Sequence, residues 1–342
     1  MRITLPTRSV LLTVGLAAPL SAQVEVRSVE GTPQKPIGSQ LCVLGDVDGD
    51  GVPDWATGGP GYLRVLSGAT GLMLHELGGA EYTHWDLDGV GDLNGDGLPE
   101  LLIGSDPVRV LSTGSWSELR THSGWSDPAL VVAGLPDLTG DGVDEYALCN
   151  TLQQVGVTVF NGATGAVHMV LPGPATIENA RFGRSICSPG DLNADGVPEI
   201  LVGAPEKRVF FAPGAAYVFD GASGALFRAH EWGTLSGMHG DEGLGIAATG
   251  VGDVDGDGVP DYAVASGREH RLRLFSGATG SVLQLWLLTG EVDIFAPLDL
   301  VAADDVNGDG SLDLVVKVPK EIQDTRRRVD VLSTRPPLRG HR

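Results

Sequence analysis

Six copies of an acidic nonapeptide, D-x-[DNT]-x-D-G-x-x-[DE], place oxygen-bearing side chains at positions 1, 3, 5 and 9 of a short turn and leave the carbonyl of position 7 free. A hard divalent cation such as Ca²⁺ takes carboxylate, amide, hydroxyl and backbone oxygens together, and one such turn supplies most of a coordination sphere. The first copy offers Asp46, Asp48, Asp50, Val52 and Asp54; the second Asp92, Asn94, Asp96, Leu98 and Glu100; the third Asp137, Thr139, Asp141, Val143 and Glu145. The fourth offers Asp191, Asn193, Asp195, Val197 and Glu199; the fifth Asp253, Asp255, Asp257, Val259 and Asp261; the sixth Asp305, Asn307, Asp309, Ser311 and Asp313. Val52, Leu98, Val143, Val197, Val259 and Ser311 serve through their carbonyls. Up to six Ca²⁺ ions are therefore expected. Sites one and five, with four carboxylates each, should bind most tightly, and site three, with Thr139 at position 3 and Asp144 adding nearby charge, should be among the weaker ones. Gly at position 6 of every copy marks a backbone that folds back at positive φ.

The flanks decide what kind of turn this is. A helix-loop-helix calcium site needs a bidentate Glu at position 12. Here position 12 is Thr57, Ile103, Leu148, Val202, Val264 and Val316, all in β-rich runs. Pro53, Pro99, Pro198 and Pro260 at position 8 suit the entry to a strand, where a missing N–H is tolerated. The ion would thus sit in a strand-loop-strand hairpin.

The loops start 46, 45, 54, 62 and 52 residues apart, the period of propeller blades or related arrays. A second landmark follows each loop: LRVLSGATG from Leu63, VRVLSTG from Val108, VTVFNGATG from Val157, AYVFDGASG from Ala216, LRLFSGATG from Leu272 and VDVLSTR from Val329. Each repeat reads as strand, acidic loop, strand, connection, strand, Gly-rich turn, strand. The expected fold is all-β, a six-bladed β-propeller of four-stranded antiparallel blades. The last repeat lacks a fourth strand, and the alternating run Val24–Val29 is expected to close its blade from the N-terminus. Metal loops and Gly-rich turns should share one face. The opposite face should collect the irregular connections, with Tyr82, Trp85, Phe210, Phe211 and Trp232, as a binding surface.

Composition narrows the partners. Of 44 acidic residues, 20 lie at ligand positions of the six frames, and the net charge is −21, a balance that excludes nucleic acid and anionic membranes as partners. Residues 1–22 read as a signal peptide: Arg2 and Arg8, an apolar core from Val10 to Leu20, then Ser21-Ala22. That core is too short to span a bilayer. The division is a leader at 1–22, a propeller at 23–333 and a basic tail at 334–342, and the product is expected to be secreted, periplasmic or at the cell surface, as a monomer. Cys42, Cys149 and Cys187 allow at most one disulfide and read as buried thiols. No nucleophile elbow, phosphate-binding loop or HExxH zinc motif occurs, so no enzymatic activity is expected.

Phe182-Gly183 and Gly203-Ala204-Pro205 bracket the fourth loop, with Ile37-Gly38, Leu244-Gly245 and Gly58-Gly59-Pro60 as degraded echoes elsewhere. In these motifs residues 24 to 333 resemble the FG-GAP repeats of the integrin α-subunit β-propeller and its bacterial relatives. The resemblance implies a calcium-bearing propeller that acts in adhesion or binding, with a protein or a glycan as partner. Integrin propellers have seven blades, which makes seven the alternative count. An extracellular carbohydrate-active enzyme on a propeller scaffold is the alternative function.

Overall fold

The computed structural model describes residues 9–12, 27–30, 40–59, 61–79, 86–125, 130–151, 156–173, 181–205, 214–231, 243–267, 271–287, 299–303, 313–318 and 328–334. Among them every regular element is a β-strand, and no helix is long and apolar enough to cross a membrane. Strands β1 (Ser9–Leu12) and β2 (Arg27–Glu30) pair with each other. Then come five four-stranded antiparallel meanders. The first is β3 (Gln40–Val43), β4 (Trp55–Gly59), β5 (Tyr62–Leu66) and β6 (Met73–Gly78), and the second is β7 (Asp86–Val90), β8 (Glu100–Gly104), β9 (Val108–Ser112) and β10 (Glu118–His122). The third is β11 (Leu130–Leu135), β12 (Glu145–Asn150), β13 (Val157–Phe160) and β14 (Val167–Leu171), and the fourth is β15 (Ile186–Gly190), β16 (Glu199–Ala204), β17 (Ala215–Phe219) and β18 (Leu226–Glu231). The fifth is β19 (Leu244–Gly252), β20 (Asp261–Ser266), β21 (Arg271–Phe275) and β22 (Val282–Leu287). A three-stranded sheet of β23 (Asp299–Ala303), β24 (Asp313–Val318) and β25 (Arg328–Ser333) follows.

The sheets stand in series, as in a β-propeller. The first strand of each packs beside the first strand of the next. Five apolar cores lie between consecutive sheets; the largest joins Leu135, Cys149 and Val159 of the third to Ile200, Tyr217 and Phe219 of the fourth. Burial grades along each meander. Strands two and three are buried on both faces, as in β8, β9, β16 and β17, while the fourth strand faces solvent, as in β18 and β22. The apolar runs at Leu101 and Ile200 thus belong to strands covered by a neighbouring sheet on each side. Half-buried carboxylates on β7 add polar stitches: Asp86 Oδ2 accepts from Val132 N (3.1 Å) and Asp88 Oδ2 from Gly134 N (3.0 Å), both on β11.

The N-terminus departs from expectation. Part of the run expected to complete the last sheet forms β2, but it pairs with β1, inside the segment read as a leader, and the last sheet keeps three strands. Strand β1 lies close to β25. The cysteines are free, Cys42 and Cys149 buried and Cys187 half-buried. The aromatic connections, with Tyr82, Trp85, Phe210, Phe211 and Trp232, lie outside the described residues, as does the sixth loop from Asp305 to Ser311.

Candidate metal centres

Each of the first five loops joins strands one and two of its sheet, and two backbone devices shape it. The position-1 Asp accepts several N–H groups of its own turn: Asp46 Oδ1 from Gly49 (2.7 Å) and Asp50 (3.0 Å), and Oδ2 from Gly51 (2.7 Å). Asp92, Asp137, Asp191 and Asp253 repeat this cradle. The backbone also turns left-handed twice, at position 6 as expected and at position 4. Gly49 and Gly51, for instance, have φ of 79° and 86°, and Ala194 takes 62° at position 4 of the fourth loop.

Position 9 anchors the loop from beneath. Asp54, Glu100, Glu145, Glu199 and Asp261 are fully buried at the start of strand two, and each accepts the N–H of its position-2 residue, as Asp54 Oδ2 does from Val47 (2.8 Å). Where position 9 is Asp, its second oxygen reaches the Gly-rich turn: Asp54 Oδ1 accepts from Gly68 N and Asp261 Oδ1 from Gly277 N, both at 2.8 Å. Loop and turn therefore lie together at one end of the sheet, as expected. They also meet so closely that a Cβ on Gly68 or Gly277 would fall 2.0 or 1.7 Å from the carbonyl oxygen of Pro53 or Pro260. The second sheet has Thr113 at this place, and its hydroxyl donates to Pro99 O at 2.6 Å instead.

The structure gathers ligand oxygens within 4.8 Å of one another in five groups: Asp46, Asp48 and Asp50; Asp92, Asp96 and Glu100; Asp137, Asp141 and Glu145; Asp195, Glu199 and Asp220; Asp253, Asp255 and Asp261. These sets fit a hard cation, since they are all oxygen and several carboxylates crowd one point. Asn94 and Thr139 also join their clusters, as donors to Glu100 Oε1 (2.6 Å) and Glu145 Oε1 (3.2 Å). One contributor escaped the nonapeptide pattern, the first residue of the Gly-rich turn. Ser112 Oγ donates to Asp96 Oδ2 (3.2 Å), Asn161 Nδ2 to Asp141 Oδ2 (2.9 Å), and in the fourth sheet the place is held by Asp220. The signal was present in the run SGATG, NGATG, DGASG, whose first residue always carries a polar side chain. Asp144 does add charge beside its own loop: its carboxylate meets the backbone of Asp137 as well as that of Gly91 on the preceding sheet, and burial and the Asp137 charge raise its pKa.

Electrostatics register the crowding. Burial pushes Glu100 up to about 7, the Leu93 N–H opposes it, and the charges of Asp92 and Asp96 add to it. Glu145, Glu199 and Asp261 are raised, again chiefly by burial. At Asp92 and Asp137 desolvation works the other way from the turn's N–H groups, which together hold both carboxyls below the usual range. A divalent cation would relieve the repulsion at the buried end.

Neighbouring loops touch. Pro99 of the second loop packs on Gly45 just before the first, Asp144 of the third on Gly91, and Pro260 of the fifth on Gly190. The outer strands reach across as well: Arg120 on β10 donates to the carbonyls of Gly162 and Ala163, and Arg228 on β18 to those of Gly277 (2.8 Å) and Ala278 (3.1 Å). Each such Arg holds the Gly-rich turn of the next sheet.

The FG-GAP-like repeat family matches residues 214–316. Integrin alpha-5 of Xenopus laevis is 29% identical over 244 residues, 65% of this chain and 19% of that protein. Integrin alpha-2 of Bos taurus is 32% identical over 123 residues, 35% of this chain and 9% of that protein, and integrin alpha pat-2 of Caenorhabditis elegans is 26% identical over 236 residues, 65% and 17%. The chain thus spans less than a fifth of the length of these relatives. Among solved structures, BBS1N from its complex with ARL6DN superposes with a TM-score of 0.53 at 9% identity, covering 82% of this chain and 74% of that one, a likeness of fold. Repeats, family match and relatives together show a chain with an FG-GAP-like repeat over residues 214–316 that is similar to integrin alpha proteins over up to 65% of its length.

Proposed function

We propose that the chain is a secreted, calcium-stabilised six-bladed propeller, spanning 23–333, that serves as a binding or adhesion module for a protein or glycan and performs no catalysis itself. The observation that carries this reading is the five oxygen clusters, each built on the same loop and each braced against the Gly-rich turn of its sheet. Support for the count comes from the series of sheets with an apolar core between each neighbouring pair. Removal of residues 1–22 would free β2 from β1 to complete the sheet of β23, β24 and β25. Support for the role comes from the integrin relatives, and the proposed contact surface is the face opposite the metal loops.

The ions are structural in this reading. With about 1 mM Ca²⁺ and dissociation constants of about 10⁻⁴ to 10⁻⁵ M, each site would stabilise the fold by roughly 1.4 to 2.7 kcal/mol. Several such sites rival the whole stability of an ordinary domain. Chelation should therefore lower the melting temperature markedly, and calcium should restore it. The role is tested on glycan and protein arrays with and without chelator: calcium-dependent capture of a defined ligand is expected. A melt indifferent to chelator would remove the metal from the account, and turnover of an acidic polysaccharide would overturn the non-enzymatic role.

A further inference from the structure

The fourth centre differs from the others in a residue outside its nonapeptide. The Gly-rich turn begins with Ser67, Ser112, Asn161 and Ser276 in the other four-stranded sheets, and with Asp220 between β17 and β18. Asp220 lies 21 residues after Glu199, yet its carboxylate stands with those of Asp195 and Glu199, their oxygens within 4.8 Å of one another. Its two oxygens divide the work. Oδ1 caps the turn, accepting from Ser223 N (2.7 Å) and Ser223 Oγ (2.5 Å), as Asn161 Oδ1 does from Thr164 in the third sheet. Oδ2 faces the loop.

What it does there alters the site. Asn193 Nδ2 donates to Asp195 Oδ2 (3.1 Å) and to Asp220 Oδ2 (3.0 Å), so the amide spans two carboxylates on two hairpins. In the second and third loops the buried Glu receives a side-chain donor as well: Asn94 donates to Glu100 Oε1 (2.6 Å), and Thr139 (3.2 Å) and Asn161 (3.3 Å) donate to Glu145 Oε1. Glu199 receives the Leu192 N–H on Oε2, but its Oε1 has no hydrogen-bond partner, although the residue has no exposed surface. A buried carboxylate oxygen without a donor is costly unless a cation meets it.

We propose that Asp220 is a ligand of the fourth metal centre, which takes a hard divalent cation of the Ca²⁺ class between two hairpins, with Glu199 Oε1 and Asp195 as partners. The proposal rests on the calcium reading of the loops and deepens it. The centre then holds four carboxylates, with Asp191 as the remaining one, and ranks with sites one and five rather than below them. Ligands from two hairpins also favour the flexible, high coordination number of Ca²⁺ over the rigid octahedron of Mg²⁺. Occupancy would tie the β15–β16 loop to the β17–β18 turn.

The test is calorimetric titration of CaCl₂ into the full chain after chelator stripping, for the wild type and Asp220→Asn. Asn is the residue at the same place in the third sheet and keeps the turn cap; Asp220→Ser, as in the first and fifth, is the second variant. One binding step should weaken by about tenfold or more in both variants, since ligand charge sets affinity in such loops, while the remaining steps hold. Wild-type and variant isotherms that superimpose, with calcium still bound, would overturn the role of Asp220 and leave the loops intact. No uptake of calcium by the wild type would sink the loop reading and this proposal together.

Discussion

Ala194 sits at φ 62° in a place where the other four described loops carry glycine. A left-handed conformation costs a residue with a Cβ about 1–2 kcal/mol, whereas replacing alanine by glycine costs about 0.4–1 kcal/mol through the greater freedom of the unfolded chain. The strain is the larger of the two, so Ala194→Gly should stabilise the protein by about half to one kcal/mol, against the usual direction for glycine. A urea midpoint moving to lower concentration would show that the turn is relaxed with alanine in place. Position 4 also marks a limit of the sequence reading at this scale. Position 6 was legible because its glycine never varies, while position 4 passed as unconstrained although its backbone turns the same way. Asp220 was hidden for a different reason: a ligand frame read along one hairpin cannot include a residue that folding brings over from the next turn.

Between elements, the outer strand of each sheet works on the sheet that follows. His75 on β6 stacks on Trp116 of the second sheet with centroids 4.0 Å apart, while Arg120 and Arg228 occupy the equivalent places on β10 and β18 and grip the next turn. Two residues further along the same strands, His122 and His230 bond the hydroxyls of Tyr146 and Tyr262 at 2.7 Å. His230 also lies against Phe275, with centroids 4.1 Å apart, and burial together with the Arg228 guanidinium lowers its pKa from 6.5 to about 4. The native state thus refuses a proton that the unfolded chain accepts. Stability contributed by this contact is complete above about pH 6.5, falls as the pH drops, and levels off below about 4. In His230→Gln, which keeps a partner for Tyr262 without titrating, the loss of stability between pH 7.5 and 5 should be smaller than in the wild type. Equal losses in both proteins would show that His230 does not contribute to the acid limb. The meanders that carry these contacts were readable from period and turn chemistry. The partner of the N-terminal run was not, because β2 and β1 are short segments and a free sheet edge accepts either one.

Across the whole molecule, a net charge of −21 is concentrated where carboxylates already crowd. Two kinds of repulsion are superposed, and ions of different valence separate them. At physiological ionic strength the screening length is about 8 Å, so a monovalent salt quiets the interaction between one loop and the next. Within a cluster the oxygens lie less than 4.8 Å apart, inside that length and partly buried, where mobile ions screen poorly. A coordinated divalent cation acts at that short range. It would also hold the loops that pack on one another through Pro99 and Gly45, and through Pro260 and Gly190, so that ordering one loop constrains its neighbour. If the clusters are metal centres, about 1 mM CaCl₂ should raise the melting temperature of the stripped protein more than about 150 mM NaCl does, although its ionic strength is far lower. The gain should saturate with calcium concentration, as site binding requires, while the sodium effect should grow slowly and without a plateau. A sodium response that matched the calcium response at equal ionic strength would mean that charge density alone governs stability, and the loops would then be acidic turns with no ion to hold.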